Sequence, residues 1–176
     1  MNSDKNACFL SLPEITEISV PPKTILLEEG KMADKLYLIR KGCLRLFFNN
    51  EGQDITFQFF FEGDFVASFD SLYKRTPSLF SLENIEPAEL SVMKREDFFR
   101  NLGQKPVLRQ IYEEKIIERF HVYQRLFLSR IKNTPKQRYE ELLKEYSSII
   151  QRVPQHYIAS YLGITPVSLS RIRNRR

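Results

Sequence analysis

The chain has 176 residues, of which 42% are hydrophobic and 28% are charged. This composition is typical of a soluble globular protein of one or two domains and excludes a fibrous or disordered chain. Two cysteines are too few for a disulfide framework, and the apolar runs are far shorter than the roughly 20 residues that cross a bilayer. The N-terminal residues do not have the pattern of a secretory signal, so we expect a cytoplasmic protein that does not bind membranes.

Charge is divided unevenly along the chain. Residues 1–104 carry 12 Lys and Arg against 16 Asp and Glu, a net charge of −4. Residues 105–176 carry 15 against 6, a net charge of +9, and the last 26 residues contain five arginines and no acidic residue. A basic C-terminal part suits a polyanionic partner, although a solvated basic tail would have the same composition.

The first hundred residues have the pattern of an antiparallel β domain. Four glycines recur at intervals of 12, 10 and 11 residues, at Gly30, Gly42, Gly52 and Gly63. Around them lie six short strand-like runs, at 23–27, 36–40, 43–48, 54–61, 79–85 and 89–93. The segment 49–53 (Asn-Asn-Glu-Gly-Gln) predicts a hairpin turn, because Asn and Gly tolerate positive φ. Short strands at regular spacing indicate a sandwich or a barrel.

Helical periodicity begins after Met93. The segment 94–102 predicts a short helix that ends at Gly103, and 106–131 predicts a helix of about 26 residues, about 39 Å long. Its apolar residues recur every three or four positions, at Leu108, Tyr112, Ile116, Phe120, Tyr123, Phe127 and Ile131. Because this helix is longer than a small domain, we predict that its stripe packs partly on the β domain and partly on a second copy of the chain. A helix lying wholly on its own core is the alternative.

The C-terminal segment has the pattern of a helix-turn-helix motif. Thr134 and Pro135 can begin one helix, and residues 155–162 and 166–175 predict two more. Gly163 provides the positive φ of the turn between the last two, and Ala159 is small enough for the helices to cross. The hydroxyls and arginines of the last helix are the groups that contact phosphates and base edges in a major groove. The predicted DNA-binding residues are Thr165, Pro166, Val167, Ser168, Ser170, Arg171, Arg173, Asn174 and Arg175.

Arg171 is the candidate for a base contact, since a guanidinium can pair with both acceptors of guanine. A phosphate contact is the alternative for the same side chain, and the terminal arginines are expected to bind phosphates.

The order of these parts resembles the cyclic-AMP receptor protein/fumarate-nitrate regulator (Crp/Fnr) superfamily of bacterial transcription factors. The resemblance covers residues 10–176 and is carried by the glycine-spaced β run ending at 62–65 (Glu-Gly-Asp-Phe), by the long helix, by 134–139 and by the motif from Val153. It implies an α+β fold: an N-terminal antiparallel β-roll resembling the cyclic-nucleotide-binding jelly roll (1–104), a dimerisation helix (105–132) and a helix-turn-helix DNA-binding domain (133–176). It further implies a homodimer on palindromic double-stranded DNA, with RNA polymerase and a small-molecule effector of unidentified chemistry as candidate partners. From the residues present we expect no resident cofactor or metal.

The sequence departs from the members that bind cyclic AMP. Ala67-Ser68-Phe69 replaces their Gly-Glu-Leu, and Pro77-Ser78 replaces their Arg-Ser, so the carboxylate for the sugar and the arginine for the phosphate are absent. We therefore predict that cyclic AMP does not bind tightly, because a buried phosphate needs cationic or multiple donor partners. An apolar or aromatic effector would suit the predicted pocket, and a filled cavity without a ligand is the alternative. The predicted pocket residues are Gly63, Phe65, Ala67, Ser68, Phe69, Pro77, Ser78 and Tyr123.

Other properties of the superfamily also differ here. Two cysteines cannot hold an iron–sulfur cluster that needs four, and Cys43 is interpreted as a core residue although a redox pair with Cys8 is the alternative. His121 and His156 are expected to be exposed helix residues and not haem ligands. Pro166-Val167 replaces an Arg-Glu pair of the recognition helix, so we expect a different operator, and the winged hairpin is expected to shrink to about 149–154.

Two other functional classes require different sequence features. The chain has no Gly-rich phosphate loop, paired-histidine motif or nucleophile elbow, and we do not expect an enzyme. The second class is a ligand-binding or interaction module whose basic tail binds RNA or a membrane surface without sequence specificity.

Overall fold

The computed structural model describes residues 2–174, with side chains from residue 6 onward. Its strands are β1 (Thr16–Val20), β2 (Ile25–Leu27), β3 (Lys35–Lys41), β4 (Leu44–Asn50), β5 (Gln53–Phe60), β6 (Phe65–Val66), β7 (Ser81–Asn84) and β8 (Ala88–Lys94). Its helices are α1 (Asn2–Leu10), α2 (Phe69–Lys74), α3 (Arg95–Gln104), α4 (Pro106–Lys132), α5 (Pro135–Glu145), α6 (Ser147–Arg152), α7 (Gln155–Leu162) and α8 (Pro166–Asn174).

The strands form two four-stranded antiparallel sheets, in the orders β1-β8-β3-β6 and β2-β7-β4-β5. Apolar side chains from both sheets meet in one buried cluster, which contains Tyr37, Ile39, Leu44, Leu46, Leu82 and Leu90. This confirms the predicted antiparallel β-roll. The sequence patterns did not identify β1, the two-residue β6, or the short helices α1 and α2.

Two turns of the roll require glycine-like backbone. The predicted hairpin joins β4 to β5 through Glu51 and Gly52, whose φ angles of +53° and +88° are both positive. Gly42 has φ of +108°, and a Cβ there would lie 2.8 Å from the Cβ of Ala88. Gly42 therefore lets the β3–β4 connection pass directly over β8.

The helical boundaries differ from the sequence prediction at one glycine. Gly103 lies inside α3, which continues to Gln104, so the prediction that Gly103 ends the helix is wrong. Gln104 is the last helical residue because the next residue, Lys105, precedes Pro106, and a residue before proline is disfavoured in the helical region. Pro106 then occupies the first turn of α4, whose 27 residues match the predicted long helix.

The helices α5, α7 and α8 begin at the predicted residues. Thr134 caps α5 with a capping box, in which its side chain accepts from the Gln137 backbone N–H and the Gln137 side chain accepts from the Thr134 N–H. The segment expected to retain part of a winged hairpin instead forms α6, so that expectation is wrong. Ile149 anchors this helix by burying its side chain among those of α5 and α7, a contact that an extended hairpin would not make.

The C-terminal helices pack against the β-roll. Cys43 and Phe59 of the roll belong to the same buried cluster as Leu142, Ile158 and Leu169. Because α7 lies along β5, the helix-turn-helix motif and the roll share one apolar interface in this conformation.

Candidate DNA interface and effector cavity

The turn of the helix-turn-helix motif is closed by its glycine. Gly163 is left-handed, with φ of +68° and ψ of +36°, and its N–H donates to the Ser160 carbonyl at 2.9 Å. The Ile164 N–H donates to the Ala159 carbonyl at 3.0 Å, which satisfies a second carbonyl at the end of α7. Ala159 is fully buried where α7 and α8 meet. The predicted roles of Ala159 and Gly163 are confirmed.

The helix α8 presents its polar side to solvent. Thr165 caps it, with its hydroxyl accepting from the Ser168 N–H at 3.2 Å, while Leu169 is buried against the rest of the motif. The exposed predicted residues are Thr165, Pro166, Val167, Ser170, Arg171, Arg173 and Asn174, and Ser168 is half-buried. Arg175, like Arg176, lies outside the described residues. In residues 155–174 no acidic side chain offsets this basic, hydroxyl-rich surface.

Arg152, although it belongs to the acid-free segment, is bound within the molecule. Both of its terminal nitrogens donate to Glu62 at 2.8 Å, and it also pairs with Glu86. The hydrogen bonds from Arg152 lower the pKa of Glu62 to about 2. This ion-pair cluster joins the end of α6 to the roll and removes one arginine from the predicted polyanion-binding surface.

A second polar cluster lies under α7. The guanidinium of Arg45 donates to Glu83 at 2.6 Å, to Thr56 at 3.1 Å and to Asp54 at 3.0 Å. It also lies 4.1 Å from the ring centroid of Tyr157 on α7, a cation–π contact between the roll and the motif. Nothing in the local sequence around Arg45 indicates this burial, because its partners come from three other elements.

An aromatic-lined cavity lies where the roll, α4 and the C-terminal helices meet. This junction cavity has a volume of about 450 Å³ and is lined by 21 residues, of which nine are aromatic. They include Phe59 and Phe65 of the roll, Tyr112 of α4, and Tyr146 and Tyr161 of the C-terminal helices.

The junction cavity contains only part of the predicted effector pocket. Phe65 and Phe69 line it, whereas Gly63, Ala67, Ser68, Pro77, Ser78 and Tyr123 are not among its lining residues. Ser68 and Ser78 are both buried, and their hydroxyl oxygens lie 2.9 Å apart, while the Ser78 hydroxyl donates to the Phe80 carbonyl at 2.6 Å. The hydroxyls of these two predicted pocket residues are therefore already hydrogen-bonded within the protein.

The helix α4 has two apolar sides. Leu108 is buried against the roll and Tyr112 packs beside it, so the first turns of the stripe lie on the β domain. The rest of the predicted stripe is exposed: Ile116 at 44%, Phe120 at 58%, Tyr123 at 41%, Phe127 at 65% and Ile131 at 65%. Ile111, Val122 and Leu126 form a second apolar side, which faces the junction cavity. Sequence analysis missed this side because the more regular stripe dominates the pattern.

The cysteines and histidines considered as redox or haem-ligand candidates are not grouped into such a site in the described residues. Cys43 is buried in the core, where burial raises the pKa of its thiol, and both cysteines are free. His121 and His156 are exposed. Among the described residues, no group of three or more His, Cys, Asp or Glu side chains is arranged to hold a metal. Within residues 2–174 no helix combines the length and apolar content of a membrane span.

Comparison with known proteins identifies the family. The cyclic nucleotide-binding domain family matches residues 17–105, half of the chain, while no curated protein sequence matches it significantly. The structure is similar to CLP of Xanthomonas campestris, described as a c-di-GMP responsive global regulator, with 15% identity, a TM-score of 0.79, and coverage of 98% of this chain and 90% of that one. FixK2 of Bradyrhizobium japonicum is similar with 18% identity and a TM-score of 0.76, over 92% of this chain and 83% of that one. A CooA mutant of Carboxydothermus hydrogenoformans is similar with 16% identity and a TM-score of 0.72, over 92% of this chain and 76% of that one. The chain belongs to the cyclic nucleotide-binding domain family and has the fold of the Crp/Fnr regulators.

Proposed function

We propose that the protein is a sequence-specific DNA-binding transcription regulator that acts as a homodimer. The observation that carries this proposal is the exposed polar side of α8, where hydroxyls and arginines follow a closed helix-turn-helix turn with no acidic residue beside them. A helix of this kind fits the major groove with its N-terminal residues towards the base edges. A cyclic nucleotide-binding domain joined to such a motif suits a regulator better than an enzyme.

Homodimerisation is supported by the exposed stripe of α4. Five large apolar side chains are 41–65% exposed along one side of the helix, from Ile116 to Ile131. Contiguous apolar surface of this kind marks an interaction site, and a second copy of α4 offers a matching stripe in a two-fold arrangement. Two recognition helices about 34 Å apart would then contact successive major grooves.

The first test of this proposal is the recovery of DNA from a genomic-fragment library by the purified protein. We expect a palindrome whose half-sites lie about one helical turn apart, with an affinity that falls steeply as salt increases. Arg171→Ala should weaken binding by about 10- to 100-fold and relax the preference at one position of each half-site. Lys74→Ala is the matched control, because Lys74 lies on α2 and pairs with Asp70. Binding to all fragments alike, unaffected by Arg171→Ala, would indicate a non-specific polyanion-binding tail.

The homodimer has its own test. Phe127→Glu should convert the dimer into a monomer in sedimentation experiments, because it places a charge within the exposed apolar stripe. Leu79→Glu is the control, since Leu79 is 76% exposed on the roll and far along the chain from α4. A wild-type protein that is monomeric at micromolar concentration would contradict this part of the proposal.

We also propose that cyclic AMP is not the effector. Ser68 and Ser78, which the resemblance to cyclic-AMP-binding members matches to their nucleotide-binding residues, are buried and hydrogen-bonded to each other, and neither side chain supplies a cation for the phosphate. Calorimetric titration should show no binding at micromolar cyclic AMP, and a micromolar dissociation constant would refute this statement.

A further inference from the structure

We propose that the junction cavity is a binding site for a neutral, aromatic small molecule that carries one hydrogen-bond donor. The cavity volume of about 450 Å³ lies in the range of small-molecule sites, which are mostly apolar with few polar groups. The inference uses the proposed regulatory function only in naming such a molecule an effector; the binding itself is independent of DNA.

The lining of the cavity favours an aromatic ligand. Rings from three units of the fold border it: Phe59 and Phe65 from the roll, Tyr112 from α4, and Tyr146 and Tyr161 from the C-terminal helices. The Phe59 and Tyr161 ring centroids are 5.3 Å apart, so aromatic contacts already join the units at the wall of the cavity. Additional rings can stack edge-to-face or offset with such a lining.

The charges at the cavity favour a neutral ligand. Arg119 pairs with Asp64 at 3.2 Å and its guanidinium lies 4.6 Å from the ring centroid of Phe60. Lys115 pairs with Glu118 at 3.0 Å. An anionic ligand would have to break these pairs within the cavity lining, whereas a neutral ligand leaves them intact.

The side-chain amide of Gln58, in the lining of the cavity, has an unpartnered hydrogen-bond acceptor. Gln58 is 6% exposed, and its side-chain nitrogen lies 3.4 Å from the Phe59 carbonyl oxygen. Because a carbonyl only accepts, this contact fixes the nitrogen on that side, and the amide oxygen of Gln58 is left buried without a partner. The terminal torsion of glutamine is broad, so a small rotation presents this oxygen to a donor in the cavity. A ligand N–H or O–H would satisfy it.

Occupancy of this site would act on the position of the DNA-binding motif. Tyr146 and Ile149 precede the motif, Tyr161 lies within it, and all three line the cavity. A ligand in contact with these residues and with α4 stabilises the docked arrangement of the C-terminal helices over any arrangement that separates them from the roll. The site therefore couples a small molecule to the placement of the recognition helix.

The test uses N-phenyl-1-naphthylamine, a neutral fluorescent molecule with two aromatic groups and one N–H donor. Its fluorescence should rise saturably on titration into the full-length protein, with one molecule per chain, and it should raise the melting temperature. Val122→Trp, which fills the cavity, should weaken binding at least tenfold, and Gln58→Leu should weaken it severalfold. Ile117→Trp is the matched control, because Ile117 is exposed on another side of α4.

Three results would overturn the proposal: no saturable binding to the wild type, equal binding to Val122→Trp, or loss of binding only in Ile117→Trp, which would place the probe on the outer surface of α4 around Ile117. If circular dichroism shows that the Val122→Trp variant is unfolded, Ile111→Phe replaces it in the test. A protein that binds the probe as expected but recovers no DNA would contradict the proposed regulatory function and leave the site established.

Discussion

The buried guanidinium of Arg45 offers a sharp test of how the roll and the motif are held together. Its side chain is 3% exposed, and that of its partner Glu83 is 9% exposed. Arg45→Met preserves most of the volume but leaves the Glu83 carboxylate buried without its cation. Breaking a buried pair in this way costs about 3–5 kcal/mol of unfolding free energy. The other carboxylate partner, Asp54, is 42% exposed and recovers hydration from water, so Glu83 carries most of the cost.

The same structure predicts that the loss can be largely reversed. Arg45→Met combined with Glu83→Leu removes both charges, and replacement of a buried ion pair by apolar side chains is often neutral or stabilising. We therefore expect the double variant to lie within about 1–2 kcal/mol of the wild type, the remaining cost coming from Thr56 and from the lost cation–π contact to Tyr157.

Urea unfolding followed by far-ultraviolet circular dichroism at pH 7 measures all four members of this double-mutant cycle. An interaction free energy of several kcal/mol between positions 45 and 83 is the expected result. The reasoning would be refuted by an Arg45→Met variant within 1 kcal/mol of the wild type, or by single-variant losses that simply add in the double variant.

Three further predictions follow from local geometry. Gly42→Ala should cost about 2–4 kcal/mol in urea unfolding, from positive φ and close contact with β8, whereas Gly52→Ala, with open space around it, should cost only about 1 kcal/mol. Arg152 lowers the pKa of Glu62 from 4.5 to about 2, so the stability that this ion pair contributes is complete above pH 4.5 and is lost as the pH falls towards 2. Glu62→Gln should therefore flatten the dependence of unfolding free energy on pH between these values, and an unchanged slope would argue against the pair. Thr134→Ala should lower the melting temperature through the loss of about 1 kcal/mol of capping, and Thr134→Ser should restore most of it.

The parts of the fold that were predictable are those specified by neighbouring residues. The turn at Gly163, the cap at Thr134 and the length of α4 depend on residues within one or two helical turns, so their patterns are visible in the sequence. The junction cavity and the pairing of Arg152 with Glu62 depend on residues about 90 positions apart, and no local periodicity encodes such contacts.

The predicted effector pocket also shows that local sequence patterns do not encode contacts between distant residues. Phe65 and Phe69 are adjacent to the glycine-containing segment that suggested an effector site, and both line the junction cavity. Ser68 and Ser78 were predicted from the resemblance alone, and they are not among the residues that line the junction cavity. The sequence does not indicate a role for Gln58, because a glutamine in an alternating strand has the pattern of a solvent-facing residue.

The hydroxyl of Ser160 on α7 bears on the solubility of the protein. Strand β5 forms one edge of its sheet, and along this edge the Ser160 hydroxyl accepts from the Thr56 N–H at 2.9 Å and donates to the Asp54 carbonyl at 3.2 Å. A free strand edge with unpaired N–H and C=O groups is a template for pairing with another chain. The helix-turn-helix motif is therefore also a cover for that edge, and a movement that lifts α7 from the roll would leave these backbone groups of β5 unpaired.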